Sequence, residues 1–183
     1  MKLFYPVLMF LAGQKRGKLT GHAQPNRSFY LLSATLNNGS IFNFDALRGK
    51  KVMIVNSASN CGYTPQYREL QDLADRFPTL KVLVFPSNDF KNQESGTDEE
   101  IEAFCRINYG LSLPIFKKSV VIRSPSQSEV FEWLTTAALN GWNDTAPSWN
   151  FNKYLINEEG ILTHVFAQSI SPLSKEVIDA IEL

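Results

Sequence analysis

Cys61 stands where a cysteine can act as a nucleophile. The run Lys51-Val52-Met53-Ile54-Val55-Asn56 before it is apolar and β-branched, the pattern of a buried strand. After it, Tyr67, Leu70, Leu73, Ala74 and Phe77 recur at helical spacing. Thr64 followed by Pro65 matches an N-cap with proline in the first helical position. The cysteine therefore falls in a loop between a strand and a helix N-terminus, where backbone N–H groups and the helix dipole are expected to lower a thiol's pKa. The alternative is a small buried hydrophobe, the common state of free cysteine.

Other cysteine chemistries fit less well. A Cys-x-x-Cys redox loop would need a second cysteine at position 64, which is Thr64. A cysteine hydrolase needs a histidine base, and the chain has two histidines. His22 lies in an N-terminal basic segment, and His164 reads as an alternating side chain of the strand 161–166, so neither is an evident partner. Two histidines and scattered carboxylates give no metal-ligand cluster, and no metal, haem or other cofactor is expected.

Four ordered stretches, Asn56 to Tyr67, Phe85 to Glu94, Glu100 to Gly110 and Trp149-Asn150-Phe151, lie within roughly residues 28 to 183 and together resemble the glutathione peroxidase family. Asn56 to Tyr67 resembles the peroxidatic loop, with cysteine where some members carry selenocysteine. The stretch from Phe85 to Glu94 resembles the second motif, which brings Gln93. Trp149-Asn150-Phe151 resembles the third. Glu100 to Gly110 resembles the helix that holds a resolving cysteine in two-cysteine members, here Cys105. The resemblance implies a thioredoxin-like α/β fold, a central mixed sheet flanked by helices, with an added N-terminal β-hairpin. It further implies a thiol peroxidase acting on hydrogen peroxide and organic hydroperoxides, with Cys61, Gln93, Trp149 and Asn150 as catalytic residues and thioredoxin or glutathione as external reductant. Ser87 and Asp89 depart from the family's usual cysteine and glutamine, and neither belongs to that tetrad. The chain also lacks a long insertion between Val130 and Trp149, which makes it similar to monomeric members that commonly use thioredoxin.

The physical chemistry agrees with these roles. A thiolate attacking a peroxide needs its charge held and the departing oxygen stabilised. Gln93 and Asn150 offer amide N–H donors and Trp149 an indole N–H, none of them charged. Each has a plainer explanation as a loop, turn or core residue. The product at Cys61 would be a sulfenic acid. Cys105 is the other cysteine, and the resemblance makes it the resolving thiol. Ile101, Phe104, Cys105 and Asn108 share one helix face, so Cys105 can equally be a core residue. Disulfide geometry requires Cα atoms within about 7 Å, so resolution would need part of that helix to unwind. A peroxiredoxin fits less well, because Ala58 occupies the place of its hydroxyl residue. Two further readings are a peroxide sensor that passes its disulfide to a partner protein and a non-catalytic thioredoxin-like binding module.

The elements that must position these residues follow from pattern. Strands are expected at 51–56, 80–85, 154–157 and 161–166, with an N-terminal hairpin from 28 to 44 turning at Asn37-Asn38-Gly39-Ser40. Helices are expected at 65–76, 98–109, 128–138 and, opened by Ser171 and Pro172, near 172–182. At 183 residues, 44% hydrophobic and 20% charged, the chain supports one sizeable core. Equal numbers of acidic and basic residues give no charge for binding nucleic acid. Two cysteines suit a reducing, cytoplasmic setting rather than a disulfide scaffold. Residues 1–24 read as a separate apolar and basic extension ahead of a peroxidase domain at 25–183; they hold four basic residues and no acidic one. Their apolar run is too short to span a bilayer. Residues 1–18 fit a short interfacial segment, with contact to a membrane surface or export through a signal as alternatives.

Overall fold

The computed structural model describes residues 17–183. Most of the apolar and basic segment at 1–18, with its proposed interfacial helix, lies outside the described residues. Seven strands lie among the described residues: β1 Leu19–Thr20, β2 Ser33–Thr35, β3 Ile41–Asn43, β4 Val52–Ser57, β5 Lys81–Pro86, β6 Lys153–Ile156 and β7 Leu162–Phe166. The helices are α1 Gln66–Arg76, α2 Asp98–Tyr109, α3 Glu129–Leu134, α4 Ala137–Asn140 and α5 Lys175–Glu182. The main sheet runs β1-β7-β6-β4-β5, with β4 and β5 parallel and the other neighbours antiparallel. β2 and β3 pair apart from it as the N-terminal hairpin. This is the thioredoxin-like α/β arrangement with its added hairpin.

Alternation along the central strands explains the layering. Met53 and Val55 of β4 and Val82 and Val84 of β5 face a core closed by α1, α2 and α5. Val52, Ile54, Leu83 and Phe85 face the opposite core, closed by the hairpin's Phe44 and by Phe131 and Trp133 of α3. With both faces covered, the strands are continuous apolar runs. Cys61 and Cys105 belong to the first of these cores.

Three local expectations change. Residues 19–20, assigned from the sequence to the extension, pair with β7 as Leu19↔Val165 and Thr20↔His164. The helix expected at 128–138 is broken into α3 and α4. The Thr135 hydroxyl turns back to the Phe131 carbonyl at 2.7 Å, and Thr136 is extended at φ −126°. Two consecutive β-branched residues with a competing hydroxyl end a helix readily. The terminal helix starts at Lys175, because Ser171 is used in the turn before it, accepting from the Leu173 N–H at 3.1 Å.

Candidate active site

β4 delivers the chain into the loop 58–65 with Cys61 at its centre, and the thiol is 8% exposed. The Tyr63 N–H points at the sulfur at 3.4 Å. Thr64 does not cap α1 through its side chain. Its Oγ1 accepts from the Cys61 N–H at 3.0 Å, and its proton lies within reach of the carbonyls of Ala58 (2.9 Å) and Cys61 (2.8 Å). The hydroxyl thus closes the loop on itself. The helix is entered instead by a run of tight turns, Thr64 N–H to Cys61 C=O and Gln66 N–H to Tyr63 C=O.

The second segment follows β5. The Asn60 N–H donates to the Gln93 carbonyl at 3.0 Å, and the Ser59 N–H to the Glu94 carboxylate at 2.8 Å, stitching residues 93–94 to the Cys61 loop. Lys91 and Asn92 carry φ of 54° and 52°, the left-handed turn that swings Gln93 inward. Glu94 is buried, which raises its pKa, while its bonds to Ser59 and the Lys118 charge oppose the rise. The two departures from the family pattern have structural uses. The Ser87 hydroxyl accepts from the Asp89 N–H, and the Asp89 carboxylate accepts from the Val121 N–H at 2.6 Å, anchoring the following loop.

The third segment precedes β6. Trp149 packs against Phe90 with ring centroids 5.6 Å apart, and buried Asn150 donates its side-chain amide to the Gln93 side-chain carbonyl (Oε1) at 3.1 Å. The Trp149 indole N–H is buried and makes no hydrogen bond. It nevertheless faces Cys61 closely enough to favour the thiolate, as does the Asn150 amide. A thiol sulfur is a weak acceptor, and an N–H that sees it without bonding is set for an anion.

The sulfur's electrostatics differ from the expectation of a lowered pKa. Burial pushes the Cys61 thiol up; the Tyr63 N–H, Trp149, Asn150 and the Gly62 N–H pull it back without fully offsetting that cost. The cysteine does lie at the entry to α1, but the loss of water around the sulfur outweighs that setting. Cys105 is 0% exposed on the inner face of α2 beside Ile101, and burial pushes its pKa to about 11. The Tyr67 hydroxyl draws that value down and the Glu94 charge draws it up. Both cysteines are free thiols. His164, on β7, contacts Thr163, Phe166 and His22. Among the described residues no group of three or more His, Cys, Asp or Glu is placed to hold a metal ion.

The structure therefore gathers Cys61, Gln93, Trp149 and Asn150 from three loops at one end of β4, β5 and β6, with Cys105 in the adjoining core. The sequence model of the family described as glutathione peroxidase matches residues 29–135, a span that contains Cys61, Gln93 and Cys105. The chain belongs to the glutathione peroxidase family. "Glutathione peroxidase-like peroxiredoxin 2" of Saccharomyces cerevisiae is 40% identical over 151 residues, covering 80% of this chain and 91% of that protein. "Hydroperoxy fatty acid reductase gpx1" of Synechocystis is 38% identical over 159 residues, covering 82% of this chain and 92% of that one. Among solved structures, one titled "Crystal structure of Trgpx in apo form" aligns with a TM-score of 0.64 and 25% identity, over 86% of this chain and 97% of its own. This glutathione peroxidase family member is an oxidoreductase, a thiol peroxidase that reduces hydroperoxides.

Sequence reasoning passed over Asn56, Thr64 as a loop clamp, and Glu94. Asn56 was the detectable one. A polar residue ending an otherwise apolar buried strand must find partners, and that alone marks it.

Proposed function

We propose that Cys61 is the peroxidatic nucleophile, that Gln93, Trp149 and Asn150 are the catalytic residues around it, and that Cys105 resolves the oxidised form. The observation that carries this reading is the buried, unpaired indole N–H of Trp149 facing the Cys61 sulfur together with the Asn150 amide. The Cys61 thiolate attacks the terminal oxygen of the hydroperoxide and the O–O bond breaks. Cys61 becomes a sulfenic acid, and the alkoxide or hydroxide leaves as alcohol or water after taking up a proton. The N–H donors are aimed where negative charge moves from sulfur to oxygen, and being neutral they do not quench the nucleophile.

In the second step the Cys105 thiol attacks the sulfenic sulfur, giving a Cys61–Cys105 disulfide and water. In the described state Cys105 is buried and its thiol is held protonated. Resolution therefore requires the end of α2 around it to open. The helix is secured at its start by a capping box between Thr97 and Glu100 and at its end by the left-handed Gly110, whose N–H reaches the Cys105 and Arg106 carbonyls, so opening has to break that cap beside the solvent-facing Ile107 and Asn108. An external dithiol then restores both thiols. A cycle that ends in an intramolecular disulfide favours a dithiol protein such as thioredoxin over the monothiol glutathione. The Synechocystis relative's name favours fatty-acid hydroperoxides among the substrates. The reading includes a monomer, favoured by the short stretch between Val130 and Trp149, in a reducing, cytoplasmic compartment, favoured by two free thiols that have to cycle.

The test is hydroperoxide consumption with thioredoxin and its reductase, and separately with glutathione, in wild type, Cys61→Ser and Cys105→Ser. Thioredoxin-driven turnover lost in both variants upholds the reading. Glutathione-driven turnover that survives Cys105→Ser removes Cys105 from it and leaves a one-cysteine cycle.

A further inference from the structure

The antiparallel ladder between β4 and β6 runs from Val52↔Ile156 to Val55↔Lys153. Beyond that pair the two chains diverge, β4 toward Cys61 and the other strand back toward Asn150 and Trp149. One fully buried residue, Asn56, bridges the divergence. Its backbone carbonyl accepts from the Phe151 N–H at 2.5 Å. Its side-chain carbonyl accepts from the Asn152 N–H at 3.0 Å, and its side-chain amide donates to the Trp149 carbonyl at 2.9 Å. A second donor, the Asn152 amide, reaches the same Trp149 carbonyl at 2.6 Å.

These bonds fix the peptide planes on either side of Asn150 and hence the directions in which Trp149 and Asn150 project. They also account for Phe151, which is bulky and sits at φ 67°. A left-handed conformation is unfavourable for such a residue and persists where neighbours over-determine it. Here Asn56 supplies the bonds on both sides of it. Both side-chain bonds of Asn56 go to the segment that carries the site, and none closes its own loop. Carboxamide chemistry is required, because Asn152 presents a donor and Trp149 an acceptor. An aspartate would face the Trp149 carbonyl with a lone pair and add a negative charge near the thiolate.

We propose that Asn56 is a positioning residue for peroxide reduction, setting the Trp149 and Asn150 donors over Cys61 through these hydrogen bonds without touching the peroxide itself. The inference rests on the roles proposed above for Cys61, Trp149 and Asn150. The experiment measures Cys61 oxidation by hydrogen peroxide in the fully reduced protein by stopped flow, with the pH profile of Cys61 alkylation, in wild type, Asn56→Ala, Asn56→Asp, Trp149→Phe and Asn150→Ala. Both Asn56 variants are expected to oxidise at least tenfold more slowly, from about one oxyanion donor's loss. The Cys61 alkylation profile should shift to higher pH, further in Asn56→Asp than in Asn56→Ala. Circular dichroism and melting establish that the variants are folded at the assay temperature. Wild-type rates and profiles in both folded Asn56 variants, with slowed Trp149→Phe and Asn150→Ala, overturn the inference alone. Unchanged oxidation in Trp149→Phe and Asn150→Ala overturns the reading beneath it. If the Asn56 variants do not fold, amide exchange in reduced wild type decides. Protection of Phe151 and Asn152 matching that of Val55 upholds the clamp, and exchange at the rate of a surface loop overturns it.

Discussion

The Asn150 side-chain amide donates to the Gln93 side-chain carbonyl across 3.1 Å, joining residues 57 positions apart. Two neutral amides from different loops are thereby ordered before any peroxide arrives. The Gln93 side-chain carbonyl is engaged by Asn150, and its NH2 group is the part of the amide that carries hydrogens to donate. Replacement by glutamate keeps the acceptor for Asn150 and changes the chemistry, putting a negative charge near the sulfur. Gln93→Glu is expected to slow Cys61 oxidation by about a hundredfold, in the range seen for loss of one preorganised donor. The deficit should shrink as pH falls and the new carboxyl protonates. Stopped-flow oxidation across pH checks this, and a wild-type rate would mean that Gln93 does not face the reacting atoms.

Thr64 makes a second prediction, because its hydroxyl holds the Cys61 loop from both sides, as acceptor for the Cys61 N–H and donor toward Ala58 or Cys61. Thr64→Val keeps the shape and leaves buried groups unpaired. The expected cost is about 1–3 kcal/mol of stability, with slower peroxide oxidation. Thr64→Ser should retain most of both. Urea unfolding alongside peroxide kinetics measures the pair; equal behaviour of the valine and serine variants would count against the clamp.

How far the chain could be read from its residues depended on how local each cause was. The strand–loop–helix around Cys61, four of the five strands of the main sheet and α2 between Asp98 and Tyr109 follow from periodicity and capping, which act over a few residues. Cys61's pKa shift was misjudged in direction, because desolvation depends on what packs over the loop, not on the loop itself. Thr64 was read as a helix cap, yet its hydroxyl finds nearer partners within the turn. The site's remaining members come from loops far apart in sequence, and only ordered motifs could bring them together in advance. Asn56 lies inside such a motif, but its partners at Trp149 and Asn152 become visible only when the β4–β6 register is known.

His164 sets an acid limit. Burial first, then the charges of Lys18 and His22, lower its pKa from the ordinary 6.5 to about 4. Between about pH 4 and 6.5 the unfolded chain binds a proton that the folded chain does not, so stability rises with pH across this window and is lost on acidification. The strain falls on the edge strand, since Thr20 of β1 pairs with His164 and the Gly21 N–H donates to the Thr163 carbonyl at 3.0 Å. Urea midpoints at pH 4.5 and 7, with amide exchange at Gly21, should show acid weakening in wild type and much less in His164→Gln. An unchanged acid slope in that variant would assign the effect elsewhere.

Lys153 predicts the opposite end of the pH scale. It is 0% exposed on β6, donating to the Ile170 carbonyl at 2.6 Å and the Ala167 carbonyl at 3.3 Å. Burial pulls its pKa from 10.5 to about 7, with the Glu69 charge pulling the other way. From about pH 7 up to 10.5 the unfolded lysine keeps a proton that the folded one sheds, so its effect on stability becomes more favourable as pH rises. The raised thiol pKa values act with the opposite sign from near pH 9 upward, since the folded state then retains protons that the unfolded thiols release. The measurement therefore belongs in the Cys61→Ser, Cys105→Ser double variant, by urea unfolding from pH 7 to 9. Stability should climb through that range with Lys153 present and lose that rise in Lys153→Met. The methionine variant also leaves the Ile170 and Ala167 carbonyls without their donor, which changes the absolute stability but adds no titrating group. The slope is thus the diagnostic quantity, and a slope that survives Lys153→Met would show that this lysine keeps its charge inside the fold.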